Sequence, residues 1–253
     1  MQKLLRALKE VPVRDLPWRK TKDPYKILVS EIMLQQTQVE RVVPFYARFV
    51  RQFPNASALA RAPLSKVLKA WQGLGYNRRA VYLQSSAKLL SSAKFLSTKS
   101  SGFQSGAASG PAGQTFSQGI SAPRLPGVGP YTHAAVEAFA YNKPTVFIET
   151  NIRTVFMYYC FPHKQNVTDK EILPLVEKAL KKSGMQPRDF YTALMDLGTA
   201  LKKQGIRLNS KSAHYTKQSK FEGSRRQKRA VRLRALLARG ASEKELERVL
   251  HSK

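Results

Sequence analysis

Arg124-Leu125-Pro126-Gly127-Val128-Gly129-Pro130-Tyr131-Thr132-His133 is the stretch around which the 253-residue chain is organised. Two glycines within three residues permit a tight turn, or a close approach of backbone to another molecule. Pro130 stands where a helix can begin, because its missing N–H costs nothing in the first turn. A glycine-lined turn feeding a helix N-terminus presents bare amides and a positive dipole end to an anion. An ordinary connection between two helices fits the same pattern. The other residues must decide between a plain turn and a DNA phosphate clamp.

Lys and Arg number 44 against 16 acidic residues, a net charge of +28. That imbalance points to a polyanionic partner, nucleic acid first, with a solvated basic surface as the bland alternative. The single cysteine, Cys160, excludes an internal disulfide and any all-cysteine metal or cluster site. No apolar run could span a bilayer, and Met1-Gln-Lys-Leu-Leu5 lacks a signal-peptide core. We therefore expect an intracellular, soluble protein with no membrane partner.

Residues 1–22 are short and basic and end in Leu16-Pro-Trp-Arg19. Asp23-Pro24 predicts a helix start, with Asp as N-cap and Pro in the first turn, running to about residue 35. Thr37-Gln-Val-Glu40 has the form of a capping box for a second helix to about residue 52. Pro63 opens a third, and Gly73-Leu-Gly75-Tyr76 is a loop before a helix carrying Arg78 and Arg79. Ser, Gly, Ala and Gln then dominate, so about 95–118 is expected to be a flexible surface insertion. After the glycine turn, helices are expected from 130, 150, 168, 187, 224 and 242. Thr168-Asp-Lys-Glu171 and Ser242-Glu-Lys-Glu245 form capping boxes. No convincing strand pair exists, so the fold class is all-α, with about ten helices. Residues 201–253 hold 16 Lys and Arg against 4 acids, a net of +12. Within them Lys220, Arg225 and Arg226 lie among Tyr215 and Phe221, a pattern suited to backbone contact with nucleic acid.

Glu31 is one acid inside the apolar run Ile27 to Leu34, with Gln35 one turn later on the same face. Burial raises the pKa of such a carboxyl and suits it to general-acid work, although a structural carboxylate bonded to a helix end fits the spacing too. Glu149 follows the apolar Val146-Phe-Ile148 and precedes Thr150-Asn151, at or near a helix N-terminus that favours a negative charge. A plain N-terminal helix acid fits equally. One acid suited to hold a proton and one suited to stay ionised are what glycosidic bond cleavage through an oxocarbenium-like state requires. His133 and His163 have no ligand spacing around them, and no nucleotide-binding loop is present.

Together these pieces resemble the helix-hairpin-helix DNA glycosylase superfamily, and within it the MutY-like adenine glycosylases. The likeness runs from Leu16 to about Gly198, apart from the insertion. It rests on Leu16-Pro-Trp-Arg19, Asp23-Pro-Tyr25, Ser30-Glu-Ile-Met-Leu-Gln-Gln-Thr-Gln-Val39, Gly73-Leu-Gly-Tyr76, Leu125-Pro-Gly-Val-Gly129 and Ala193-Leu-Met-Asp-Leu-Gly198. It implies a two-lobed fold: a six-helix barrel over about 24–140 that carries the hairpin, and a second helical lobe from 1–23 and 141–253. It implies that Leu125, Gly127, Val128, Gly129 and Thr132 grip a phosphate, with an alkali cation bound at the hairpin. Gln35 and Tyr76 match residues that wedge into the duplex, and Gln36 and Arg78 would join them on DNA. Glu31 matches the acid that protonates adenine at N7, with Glu149, Asn151, Tyr131 and Arg19 around the sugar and pocket.

Three departures shape the expectation. Glu149 stands where the family has aspartate, one methylene longer. Tyr131 stands where bifunctional relatives carry a lysine nucleophile, so a monofunctional glycosylase of base excision repair is expected. The four cysteines of the iron–sulfur cluster are missing, so no cofactor is expected, and the basic stretch takes over the cluster loop's DNA contacts. The expected substrate is double-stranded DNA with adenine opposite guanine or 8-oxoguanine, bound by a monomer in the DNA-containing compartment. A thymine or uracil glycosylase acting opposite guanine, and a non-catalytic DNA-binding relative, remain as alternatives. We expect no C-terminal domain of the kind that reads 8-oxoguanine, which leaves the opposite base open.

Overall fold

The structure is a computed structural model that describes residues 1–92, 125–217 and 219–251. The expected insertion at about 95–118 lies outside the described residues. Among these residues the chain is helical, with one isolated bridge, Val167 to Ser212, and no strand. No helix among them is long and apolar enough to cross a membrane.

Among the described residues twelve α-helices follow in order: α1 (Gln2–Glu10), α2 (Pro24–Leu34), α3 (Val39–Gln52), α4 (Ala56–Arg61), α5 (Leu64–Trp71), α6 (Arg78–Leu90), α7 (Pro130–Tyr141), α8 (Thr150–Cys160), α9 (Asp169–Ser183), α10 (Pro187–Lys203), α11 (Arg225–Ala238) and α12 (Glu243–His251). Two go beyond the expected set. In α1, Leu4 and Leu8 share one face and are buried, which a short basic segment conceals in its composition. In α4, Asn55 caps the start by accepting from the Ala58 amide at 2.9 Å. The capping boxes at Thr168 and Ser242 form as expected. The one at Thr37 does not: α3 begins after Gln38 with no side-chain cap.

The chain forms two compact units, Met1–Pro24 with Pro130–Lys217, and Tyr25–Gly129 with Gln218–Lys253. This division differs from the expected lobes in two places. Helix α7 goes with the first unit, because Ala135 and Ala138 pack into that unit's apolar core and the Thr145 hydroxyl donates to the Ala134 carbonyl at 2.9 Å. The segment after Gln218 goes with the second, because Glu243 accepts from the Leu64 amide at 2.7 Å, meeting one of the open N–H groups at the start of α5.

In the first unit α10 is the central helix, with α8, α7, α1 and α9 against it. Phe190, Tyr191, Leu194, Phe156, Val155 and Leu4 are fully buried there. In the second unit α6 packs on α4 and α5, and α5 on α3 and α12. Trp71 and Phe49 meet edge to face at 5.7 Å in its interior.

Candidate functional site

In the second unit, helix α2 is buried along almost its whole length, from Tyr25 to Met33. Glu31 lies within that run and is 5% exposed. Backbone amides in the middle of a helix already donate to carbonyls four residues back, so the amides of α2 itself do not serve the Glu31 carboxyl. α2 ends at Leu34, one residue sooner than expected, and Gln36 turns the chain with φ 55°.

Arg79 is what stops the helix there. Its Nη1 donates to the carbonyls of Ile32 at 2.9 Å, Met33 at 2.8 Å and Gln35 at 2.6 Å. Its Nη2 donates to the Thr37 hydroxyl at 3.0 Å and the Gly75 carbonyl at 3.2 Å. The Thr37 side chain is therefore engaged by Arg79, which explains the missing capping box. The guanidinium lies over the rings of Trp71 at 5.5 Å and Tyr76 at 5.3 Å. Burial lowers its pKa to about 10, so it remains a cation at neutral pH and complements the negative end of α2. One buried arginine thus fixes the end of the Glu31 helix, the Gln35-Gln36 turn and the Tyr76 loop together.

The glycine turn joins the same assembly. Gln35 Nε2 donates to the Gly127 carbonyl at 3.3 Å, Ser86 donates to Pro126 at 2.8 Å, and the Val128 amide closes on Leu125 at 3.1 Å. Gly127 has φ +74°, and a Cβ there would stand 2.8 Å from Tyr82 Cβ, so both conformation and packing demand glycine. Gly129 needs glycine for neither reason: a Cβ there meets nothing within 4 Å. Gln36, Gly127 and Gly129 are exposed, while Leu125 and Val128 are half-buried.

The basic segment after residue 218 divides in two. Lys220 and Arg225 are exposed, as a DNA-contacting role needs. Arg226 and Arg78 instead serve this unit's interior. Arg226 lies over the Tyr76 ring at 5.1 Å and donates to its hydroxyl, and Arg78 donates to the Leu250 carbonyl.

In the first unit, Glu149 is the N-cap of α8. Its Oε1 accepts from the amides of Asn151 at 2.7 Å and Ile152 at 3.0 Å, and its Oε2 from Asn151 Nδ2 at 3.2 Å. The expected helix N-terminal carboxylate is thus observed as a true cap. Lys202, near the end of α10, donates from Nζ to Asn151 Oδ1 at 2.7 Å. Gly198 lies one turn earlier on the same face, and a Cβ there would come within 2.6 Å of Asn151 Cβ.

Arg19 makes a bidentate pair with Asp196, Nη1 to Oδ2 at 2.7 Å and Nη2 to Oδ1 at 2.8 Å. Arg14 adds its amide to Oδ2 at 3.0 Å and its side chain to Oδ1. Burial opposes charge on Asp196, but the hydrogen bonds from both arginines outweigh it and hold its carboxyl below the usual carboxylate range. Arg19 therefore ties the N-terminal segment to α10. Tyr131 packs its ring edge-to-face on Phe147 at 5.6 Å, Phe147 stacks on Tyr191 at 3.9 Å, and Thr132 is buried.

Glu31, Gln35, Tyr76 and the glycine turn thus belong to one unit, and Glu149, Asn151, Arg19 and Tyr131 to the other. Sequence reasoning missed three residues of this framework: Arg79, Asp196 and Lys202. The signal for Lys202 was its spacing, one helical turn after Gly198 on the face that meets α8. Arg79 gave none, since an arginine in an amphipathic helix reads as surface.

Residues 29–184 match the family described as HhH-GPD superfamily base excision DNA repair protein. The chain is 34% identical over 190 residues to the adenine DNA glycosylase of Buchnera aphidicola subsp. Baizongia pistaciae, covering 74% of this chain and 48% of the relative. It is 34% identical over 196 residues to that of Mycolicibacterium smegmatis, covering 74% and 58%. The chain spans about half the length of these curated relatives. Its fold matches the structure of a thermostable thymine-DNA glycosylase with a TM-score of 0.58 and 25% identity, over 85% of this chain and 94% of that one.

Proposed function

The chain belongs to the HhH-GPD superfamily of base excision DNA repair proteins, and on that premise we propose that it is a monofunctional adenine DNA glycosylase. It removes adenine mispaired with guanine or 8-oxoguanine from double-stranded DNA, as a monomer. The observation that carries the reading is Glu31: a buried carboxyl in the middle of an apolar helix, within the stretch 29–184 that matches the HhH-GPD family.

The target nucleotide is extruded from the stack, a step that costs a few kcal/mol and is cheapest at a mismatch. Gln35, Gln36 and Tyr76 fill the space it leaves, and the Arg79 framework supports that role by holding both turns rigid. The amide of the exposed Gly129 binds a phosphate, while Lys220 and Arg225 contact the backbone. Glu31 donates its proton to adenine N7, which turns the base into a neutral leaving group. Glu149 places negative charge near the sugar as its oxocarbenium character grows. Water then adds at C1′, with Glu31 accepting its proton. General-acid catalysis of this kind contributes roughly 100- to 10,000-fold.

The reading needs no redox cofactor. A family-type iron–sulfur cluster requires four cysteine thiolates, and one cysteine, Cys160, does not fit it. An alkali cation at the hairpin does fit: the carbonyls of Leu125, Pro126 and Gly127 each accept one hydrogen bond and keep a second lone pair.

A second reading, thymine or uracil removal opposite guanine, is supported by the match in fold to a thymine-DNA glycosylase, with a TM-score of 0.58 and 25% identity. One assay separates the two. Excess protein is incubated with duplexes carrying A:8-oxoguanine, A:G, T:G and U:G, and abasic sites are cleaved with hot alkali. Strand breaks at adenine are expected. Breaks at T:G with none at either adenine mismatch would install the second reading, and none on any duplex would leave a DNA-binding protein.

A further inference from the structure

We propose that Lys202 is a positioning residue of the Glu149 site: its ammonium fixes the Asn151 amide so that Nδ2, not Oδ1, faces the Glu149 carboxylate. The geometry stands without the glycosylase reading; the catalytic consequence rests on it.

The argument is one of donors and acceptors. A lysine ammonium only donates and a carboxylate only accepts, whereas an asparagine side chain does one with each end. Lys202 Nζ lies 2.7 Å from Oδ1 and Glu149 Oε2 lies 3.2 Å from Nδ2, so the two neighbours together permit one amide orientation. Flipping the amide would set Oδ1 against the carboxylate and Nδ2 against the ammonium, two repulsive contacts in place of two hydrogen bonds.

The backbone prepares this relay. Gly198 lets α10 pass so close to the first turn of α8 that a Cβ would come within 2.6 Å of Asn151. Lys202, one turn further along α10, then reaches Asn151 directly. All three side chains are half-buried, where a charge-assisted hydrogen bond is stronger than at the surface. Burial pulls the Lys202 pKa below its ordinary value and Glu149 pushes it back up, as expected for a cation kept in place by an anion. The chain thereby holds the longer glutamate arm: Oε1 is tied to backbone amides, and Oε2 to an amide that Lys202 orients.

The test uses the whole chain and the variants Lys202→Met, Lys202→Gln and Lys202→Arg. The side-chain amide resonances of Asn151, assigned by their loss in Asn151→Asp, should move in Lys202→Met and stay near their wild-type positions in Lys202→Arg. Single-turnover excision should fall about 10- to 100-fold in Lys202→Met, the scale of a misplaced catalytic group. Duplex binding should hold, and Lys202→Arg should recover most of the rate. With Asn151→Ala already present, Lys202→Met should cost little more, because the lysine acts through the asparagine. Lys202→Gln, which stays polar, replaces the methionine variant if that one melts early. Unmoved Asn151 resonances would overturn the contact at any level of activity. Moved resonances with a wild-type rate, or an equal loss in the Asn151→Ala background, would overturn the positioning role. If the wild type excises nothing, the glycosylase reading fails by itself and the resonances still decide the contact.

Discussion

Glu31 and Glu149 are the same side chain in opposite helical settings. Glu31 sits in mid-helix, where the backbone amides nearby are committed to the helix itself. Glu149 sits just before a helix, where two amides and an asparagine are committed to it. The first setting offers no helix-end amides, which suits the proton-donating role proposed for Glu31. The second supplies donors and a positive dipole end, which suits the charge-holding role proposed for Glu149. Position along a helix thus underlies the different roles we propose for the two acids.

The strongest way to break this contrast is Glu31→Gln. The amide keeps the shape and cannot donate an acidic proton, so single-turnover excision should fall about 100- to 10,000-fold. Affinity for the mismatched duplex should survive, since the amide keeps the shape of the carboxyl. Excision near the wild-type rate would remove Glu31 from its assigned role.

Asp196 sharpens the contrast by showing a buried acid with a purely structural task. Asp196→Asn leaves Arg14 and Arg19 short of their counter-charge, and breaking a buried pair costs about 3–5 kcal/mol. Urea unfolding should show that loss, with the remaining folded protein still excising its base. The folded carboxyl ionises below its ordinary range, so its stabilisation is complete above about pH 4 and disappears as pH falls through the lowered value. Asp196→Asn should therefore flatten the acid limb of stability against pH. An unchanged limb would show that other carboxylates control acid unfolding.

Much of this was legible from residue order alone. The all-α class, the glycine turn, the buried Glu31 and the capping acid Glu149 follow from periodicity, breakers and one charge in an apolar run. What stayed hidden shares a cause. Arg79, Asp196 and Lys202 reach groups 46, 182 and 51 residues away, through carbonyls and side chains that only the folded chain brings near. Local pattern carries caps and faces; it carries no record of which distant carbonyl an arginine will meet. Arg226 carries a contact the basic run does not announce: its guanidinium lies over the Tyr76 ring.

The smallest expected effect tests the Glu149 side of the contrast. Glu149→Ala removes a cap that accepts from two amides, and loss of a cap costs about 1 kcal/mol, so the thermal midpoint should drop slightly. Glu149→Asp is more informative, because aspartate is a good N-cap and should keep stability close to wild type. It is one methylene shorter, however, and cannot both cap the helix and reach the Asn151 amide now held at 3.2 Å. Stability retained with a roughly tenfold slower excision would mean that this chain has built its site around the longer arm. A rate equal to or above wild type would mean that the cap alone, and not the Asn151–Lys202 relay, sets where the negative charge lies.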